Sequence, residues 1–111
     1  MFGNDNVIRQ HKTEKYPFYC DFYIKSIDTY IECNFHWTHG KHPFDSSRKE
    51  DIEVATSLME KAKTSKFYRN ALNVWTKLDC KKRAVAKMNN LKFFEFFTFK
   101  GFKDFLSSYV N

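Results

Sequence analysis

Hydrophobic and polar residues alternate along two strings near the start of the chain, Tyr16–Ile24 and Thr29–His36, which are rich in aromatic and β-branched side chains. Both features are typical of β-strands. A two-residue turn at Ser26 and Ile27 predicts a β-hairpin in which the numbers of facing residues sum to 53. One face of this hairpin is apolar and is expected to face the core; its pairs are Phe18–Phe35, Cys20–Cys33, Phe22–Ile31 and Ile24–Thr29.

The same register places two acidic residues, Asp21 and Glu32, directly opposite each other on the second face of the hairpin. Like charges about 4.5–5.5 Å apart destabilise a hairpin unless something offsets them. A hard divalent cation such as Mg²⁺ is one such partner, because it takes carboxylate oxygens and keeps some of its waters. The alternative is that both acids lie on a solvated face, each near a lysine, and the pattern leaves both possibilities open.

The flanking segments predict further elements around the hairpin. Asn6–Lys12 alternates and is expected to form a first strand that pairs with the hairpin. Ser47 and Glu50 have the spacing of a capping box, which predicts a helix running to about Lys63. Apolar residues at helical spacing predict its buried face: Ile52, Ala55, Leu58, Met59 and Ala62.

The second half of the chain continues this alternation of helices and strands. The first predicted elements are a short helix over Lys66–Ala71, after a break and a new cap at Thr64–Ser65, and a strand over Leu72–Lys77. They are followed by a helix that Asp79 caps and that ends at Asn89–Asn90, and by a strand over Leu91–Phe97. The last predicted helix covers Phe102–Val110 and packs Phe102, Phe105 and Leu106, with Tyr109 as a further candidate. The expected fold is α/β, a three-strand β-meander followed by α-β-α-β-α.

An ordered set of motifs in this chain resembles the PD-(D/E)XK nuclease superfamily, and within it the very-short-patch-repair (Vsr) endonucleases and related phage and homing endonucleases. The motifs are Asp21-Phe22-Tyr23-Ile24, Tyr30-Ile31-Glu32-Cys33-Asn34, Trp37-Thr38-His39-Gly40, Lys66-Phe67-Tyr68-Arg69-Asn70-Ala71, Val74-Trp75-Thr76 and Lys87-Met88-Asn89-Asn90-Leu91. They cover roughly Val7 to Phe97 and are moderately specific as a set. The resemblance implies a restriction-endonuclease-like core and Mg²⁺-dependent hydrolysis of DNA, with Mn²⁺ as a substitute.

The resemblance also implies roles for individual residues. Asp21 and Glu32 correspond to metal ligands, and His39 aligns with a histidine that works beside the metal. The residue two positions after the glutamate is commonly a lysine, but here it is Asn34, whose amide orients water or phosphate rather than acting as a base. Imidazole suits proton transfer at neutral pH, so His39 is expected to take over the role of the missing lysine.

The region after the hairpin carries further candidates. Vsr enzymes hold a structural zinc here, but only His36 falls at a ligand position, so zinc is not expected and ordinary histidines are favoured.

Trp37 is a candidate for stacking on a base, although a core role that anchors the loop is the favoured interpretation. Basic residues in two clusters are candidates for phosphate contact, with a solvated helix face as the alternative: Lys66 and Arg69, and Lys81, Lys82 and Arg83.

Composition and charge are compatible with this interpretation. The 111 residues carry a net charge of +6 and predict one domain with an anionic partner such as DNA. There is no apolar run long enough to span a membrane and no secretory signal, and the three cysteines are an odd number. A cytoplasmic protein with reduced thiols, encoded by a cell or a phage, is therefore expected.

One feature of the family has no counterpart in this sequence. The nucleases have a helix before the first strand, and here that helix is missing, so a homodimer or an upstream chain is expected to complete the fold. The sequence predicts a metal-dependent DNA endonuclease. The alternative is an inactive remnant that binds nucleic acid or a partner chain, with a small zinc-stabilised module as a third possibility.

Overall fold

A computed structural model describes residues 5–108 of the chain, which form a mixed α/β structure. The four strands are β1 (Val7–His11), β2 (Cys20–Ile24), β3 (Thr29–Cys33) and β4 (Lys92–Phe96). The four α-helices are α1 (Lys49–Ala62), α2 (Lys66–Asn73), α3 (Asp79–Met88) and α4 (Phe99–Ser107). Short 3₁₀ turns cover Lys25–Ile27 and Trp37–His39, and a π-helical segment covers Val74–Leu78.

The strands form one sheet in the order β1-β2-β3-β4. The first three strands are an antiparallel meander, and β4 lies parallel to β3. The predicted hairpin register is confirmed, since Phe22 faces Ile31 and Tyr23 faces Tyr30. The loop is a 3₁₀ turn that ends at Asp28, which has a left-handed backbone with φ 46°. The first strand and the apolar strand near the C-terminus are also confirmed.

Strand β3 is an interior strand, and both of its faces are buried. Four consecutive residues from Thr29 to Glu32 are each less than 4 % exposed. The second face of the hairpin is therefore not solvated at Glu32, so this part of the alternative is wrong, whereas the lysine that it expected near the acid is present as Lys82. The reason is that β4 pairs beside β3 while side chains from Tyr16 and helix α3 cover this face.

The strand predicted over Leu72–Lys77 is wrong, because helix α2 runs directly into the π-helical segment. A short alternation of hydrophobic and polar residues is compatible with a strand and also with one face of a helix. Which of the two forms depends on the side chains that the fold buries. Ala71 and Trp75 lie four residues apart and are 1 % and 3 % exposed, which defines a buried helical stripe. The Thr76 hydroxyl donates to the Leu72 carbonyl oxygen at 2.6 Å, as threonines do within helices.

Two predicted helix caps are also wrong. Helix α1 follows Arg48, which makes no side-chain cap, and Ser47 donates to Asp45 instead. Asp79 does not cap a new helix, since it has a helical backbone of φ −64° and ψ −37°. In contrast, the Ser65 cap is confirmed, because its hydroxyl accepts the Tyr68 N–H.

The predicted apolar face of α1 is confirmed in part, and the last helix starts earlier than predicted. Ala55 and Ala62 are buried on α1, whereas Ile52 and Met59 are 43 % and 57 % exposed and Asp51 is buried instead. Helix α4 begins at Phe99, three residues earlier than predicted, because the Thr98 hydroxyl accepts the Gly101 N–H and caps it. Tyr109 and Val110, predicted for the end of this helix, lie outside the described residues.

The described chain divides into two compact units. The first, the sheet unit, contains the described residues up to Phe35 and those from Lys82 onward. The second, the helical unit, contains 36–81. Among the helices of residues 5–108, none combines the length and apolar character that crossing a membrane requires.

Candidate functional site

Three carboxylates lie side by side on adjacent strands of the sheet unit. Glu32 on β3 faces Glu95 on β4, and the hairpin register puts Asp21 on β2 opposite Glu32. The Asp21 N–H donates to Glu32 Oε1 at 3.0 Å, and the Cys33 N–H donates to Asp21 Oδ2 at 2.8 Å. Backbone donors therefore hold the two predicted metal ligands close together, as the pairing register requires.

Glu32 is the most enclosed of the three acids, at 3 % exposure. Its Oε2 accepts the Tyr16 hydroxyl at 2.6 Å and lies 3.2 Å from Lys82 Nζ. Burial and the hydrogen bond to Glu32 raise the pKa of Tyr16, so the phenol stays protonated and acts as a donor. The positive charge of Lys82 offsets the buried carboxylate, which would otherwise be costly.

Glu95 is held by partners that the sequence did not point to. Arg83 forms a two-pronged ion pair with this carboxylate through Nε and Nη2, and Asn34 Nδ2 donates to Glu95 Oε2 at 2.9 Å. The amide oxygen of Asn34 is thereby left as the acceptor on this side chain. The sequence does carry one indication of these partners, because Glu95 interrupts an otherwise apolar strand. A buried carboxylate in such a strand needs a cation or hydrogen-bond donors beside it.

The carboxylate of Asp21 is half-buried and weakly held. Among the described residues its Oδ1 receives a single long hydrogen bond, of 3.4 Å from Gln10 Nε2. Gln10 has φ 52° and lies opposite Asp21, between the Arg9–Phe22 and His11–Cys20 pairs of the β1–β2 register. No cation among the described residues lies within ion-pair distance of Asp21.

The donor chemistry of Asp21 and Glu32 fits Mg²⁺. The ion commonly binds proteins through one or two carboxylates and completes its shell with water and substrate phosphates. Within residues 5–108 no group of three or more His, Cys, Asp or Glu side chains is arranged as a complete metal cage. A cation bound by these two acids therefore needs ligands from solvent or substrate, as Mg²⁺ ordinarily does.

The two cysteines of the hairpin flank this row as thiols. Burial raises the pKa of Cys20 to about 12, with Glu32 adding to the effect. Burial raises the pKa of Cys33 to about 12 as well, and the nearby Asp21 contributes. Both therefore stay protonated at neutral pH, and neither is an activated nucleophile.

His39 lies in the helical unit, at the end of the 3₁₀ turn, and is paired with Asp79. Its Nδ1 lies 2.7 Å from Asp79 Oδ2, and the aspartate is 2 % exposed while the histidine is 24 % exposed. A carboxylate at Nδ1 favours the tautomer that keeps the proton there, which leaves Nε2 with its lone pair. Asp79 was predicted as a helix cap, so the sequence missed this partner.

A second histidine of the helical unit has the same kind of partner. His42 Nε2 lies 2.7 Å from Asp51 Oδ1, and Asp51 Oδ2 accepts the Asp45 N–H at 2.9 Å. His36 instead accepts the Thr38 N–H through Nδ1 and caps the 3₁₀ turn. His42 therefore has a structural partner on helix α1, and His36 has one in the 3₁₀ turn.

The predicted nucleic-acid residues occupy different environments. Trp37 is 47 % exposed and packs against Phe67 at 5.3 Å, so the interpretation as a core tryptophan is wrong. Lys66, Arg69 and Lys81 are exposed, although Arg69 Nη2 also donates to the Ala62 carbonyl oxygen. Lys82 and Arg83 are instead the partners of Glu32 and Glu95.

Asp21, Glu32 and Asn34 thus come together in the sheet unit, and His39 belongs to the helical unit. No family model, no curated protein and no solved structure matches this chain.

Proposed function

We propose that this protein is a Mg²⁺-dependent DNA endonuclease that hydrolyses phosphodiester bonds on a restriction-endonuclease-like core. The observation that carries the proposal is the contact between Lys82 Nζ and Glu32 Oε2, beside the weakly held carboxylate of Asp21. Two acids and a lysine are the chemical groups that the resemblance implies. Here the lysine comes from helix α3, while Asn34 occupies the strand position where the family has it.

Each group has a role that follows from its chemistry. Asp21 and Glu32 hold Mg²⁺, which when bound lowers the pKa of coordinated water and offsets phosphate charge. Lys82 donates to a non-bridging phosphate oxygen and stabilises the charge that develops there. Asn34 orients water or phosphate through its amide oxygen. Within the helical unit, Asp79 holds the ring of His39, to which the resemblance assigns proton transfer, here at Nε2.

The overall charge of the protein suits a polyanionic substrate. The net charge of +6 attracts DNA at a distance, and exposed Lys66, Arg69 and Lys81 are available for phosphate contact. Trp37, half-exposed, presents an aromatic surface on which a base can stack.

Plasmid cleavage tests the proposal directly. We expect the purified protein to cut DNA with Mg²⁺ or Mn²⁺, and to lose this activity with EDTA or in Asp21→Asn. Asp104→Asn is the matched control, because this aspartate is 65 % exposed on helix α4 and pairs only with Lys100 among the described residues. Absence of cleavage by folded wild-type protein, or full cleavage by Asp21→Asn, would contradict the proposal.

A second candidate is an inactive nuclease fold that binds nucleic acid. The observation that favours it is the saturation of Glu32 Oε2 and Glu95 by Tyr16, Lys82 and Arg83. This candidate predicts DNA binding in a fluorescence anisotropy titration, weakening with salt, without cleavage at any metal concentration.

A further inference from the structure

Tyr16 is fixed more tightly than any surface residue of the site. Its side chain is fully buried, and its ring packs against Phe18 at 5.1 Å and Phe93 at 5.4 Å. The backbone is held as well, since the Tyr16 N–H donates to Thr13 Oγ1 at 3.0 Å. The Thr13 N–H donates in turn to the Tyr16 carbonyl oxygen at 3.2 Å. The hydroxyl therefore has a defined position.

That hydroxyl contacts the carboxylate of Glu32. The 2.6 Å separation between the Tyr16 hydroxyl oxygen and Oε2 is the length of a strong, charge-assisted hydrogen bond. Glu32 is thereby held at both oxygens, because Oε1 accepts the Asp21 N–H at 3.0 Å. Two donors at opposite oxygens fix the plane of the carboxylate as well as its position.

The third donor to Glu32 is of a different kind. Lys82 lies on a long flexible stem and reaches the same Oε2 at 3.2 Å, and its side chain is 18 % exposed. Its ammonium group can therefore shift toward a phosphate during function. Tyr16, which is rigid and fully buried, cannot follow it. The hydroxyl of Tyr16 is the donor that remains on Oε2 of Glu32 when Lys82 moves.

We propose that Tyr16 is a positioning residue that orients the Glu32 carboxylate for divalent-cation binding. This inference rests on the proposed function, since it assumes that Glu32 is a metal ligand. Donors outside the coordination shell orient metal ligands, and their loss typically weakens metal affinity about 10–100-fold.

Tyr16→Phe tests the inference because it keeps the ring and removes only the hydroxyl. Tyr30→Phe is the matched control: Tyr30 is 3 % exposed, packs against Tyr16 at 5.5 Å, and directs its hydroxyl to Thr13 Oγ1 at 3.1 Å. We expect Tyr16→Phe to weaken Mn²⁺ binding, measured by titration calorimetry without DNA, about tenfold or more. Tyr30→Phe should lower the melting temperature and leave Mn²⁺ affinity unchanged.

The cleavage assay measures the same loss of metal affinity in a second way. Tyr16→Phe should raise the Mg²⁺ concentration that gives half-maximal cleavage by a similar factor, while the rate at saturating Mg²⁺ changes much less. A structural role alone lowers the melting temperature without moving either metal dependence. Equal Mn²⁺ affinity in wild type, Tyr16→Phe and Tyr30→Phe overturns the inference and leaves the proposed function intact.

A measurement on the unaltered protein covers the case in which Tyr16→Phe does not fold. The ¹³Cζ signal of Tyr16 should shift as Mg²⁺ is titrated into the wild-type protein. The ¹³Cζ signal of Tyr23, whose hydroxyl donates to Asp28 Oδ1 at 2.6 Å, is the control and should not shift. An unmoved Tyr16 signal in a protein that binds Mg²⁺ overturns the inference alone. A folded wild-type protein that binds neither Mg²⁺ nor Mn²⁺ overturns the proposed function and, with it, the inference.

Discussion

Lys82 Nζ lies 3.2 Å from Glu32 Oε2, although the two residues are 50 positions apart in the chain. Helix α3 supplies this lysine to an acid on the interior strand β3. The position two residues after Glu32, where the resemblance implies a lysine, holds Asn34 instead. The structure thus brings an ammonium group to the paired acids by a different route from the strand motif.

Lys82→Met should therefore reduce metal-dependent cleavage by about 10²–10³-fold, since it removes a charged donor aimed at the reacting phosphate. The effect should appear in the rate at saturating DNA and Mg²⁺, measured in single-turnover experiments. Lys103→Met, an exposed lysine on helix α4, is the control with the same change of charge. Equal loss in both variants would show that net charge, and not the position of Lys82, is responsible.

Asp79→Asn should lower cleavage by about 10²–10⁴-fold, because an amide in place of the carboxylate no longer favours the His39 tautomer with Nε2 unprotonated. The test is a double-mutant cycle with His39→Ala, using single-turnover rates. If the pair acts as a unit, the double variant is no slower than the slower single variant. Strictly multiplicative losses in the double variant would contradict a shared role. Circular dichroism checks that each variant is folded, since Asp79 is 2 % exposed.

Gly40→Ala should destabilise the fold by at least about 2 kcal/mol, from backbone strain and overpacking together. Gly40 has φ 69°, and a Cβ there would lie 2.4 Å from Nε1 of Trp75, which is buried at 3 % exposure. Gly101→Ala is the control, because its nearest neighbour would be the Thr98 hydroxyl at 3.2 Å and its backbone is helical. Urea denaturation of the two variants compares them. A Gly40→Ala variant as stable as Gly101→Ala would contradict the packing of this loop on Trp75.

Asp51→Asn should lower the melting temperature near neutral pH and change its dependence on acid. Burial alone would raise the pKa of Asp51, but hydrogen bonds from His42 and from the Asp45 N–H outweigh it and lower the pKa below its usual value. A lowered pKa in the folded state stabilises the protein above the unfolded value of about 3.9, and this contribution disappears as the pH falls through the folded value.

The melting temperatures of wild type and Asp51→Asn should therefore differ most near neutral pH and converge in acid. Thermal denaturation followed by circular dichroism across this range measures the difference. Asp104→Asn, at an exposed carboxylate, serves as the control and should change little at any pH. A constant gap between wild type and Asp51→Asn at all pH values would assign the destabilisation to lost packing instead of lost charge.

Local patterns in the sequence determined the hairpin and the start of helix α2. Alternation over Tyr16–Ile24 and Thr29–His36 was enough to predict the register, since a slip of one residue would exchange the two faces. The register in turn predicted that Asp21 and Glu32 lie opposite each other. Ser65 was recognisable as a cap because its hydroxyl bonds only three residues ahead. Each of these features depends on residues close together in the chain or on strict strand alternation.

Only the tertiary structure decided which partners the site residues have. Lys82 on Glu32, Asp79 on His39 and Arg83 on Glu95 are contacts between separate elements, and no periodicity specifies them. The same holds for Leu72–Lys77, whose alternation suited a strand until the burial of Trp75 selected a helix. The physical reason is that a buried charge needs an ion-pair or hydrogen-bond partner, and a large aromatic side chain needs packing neighbours. In these cases the partners come from elements distant in the chain, so the residues next to a site residue do not specify them.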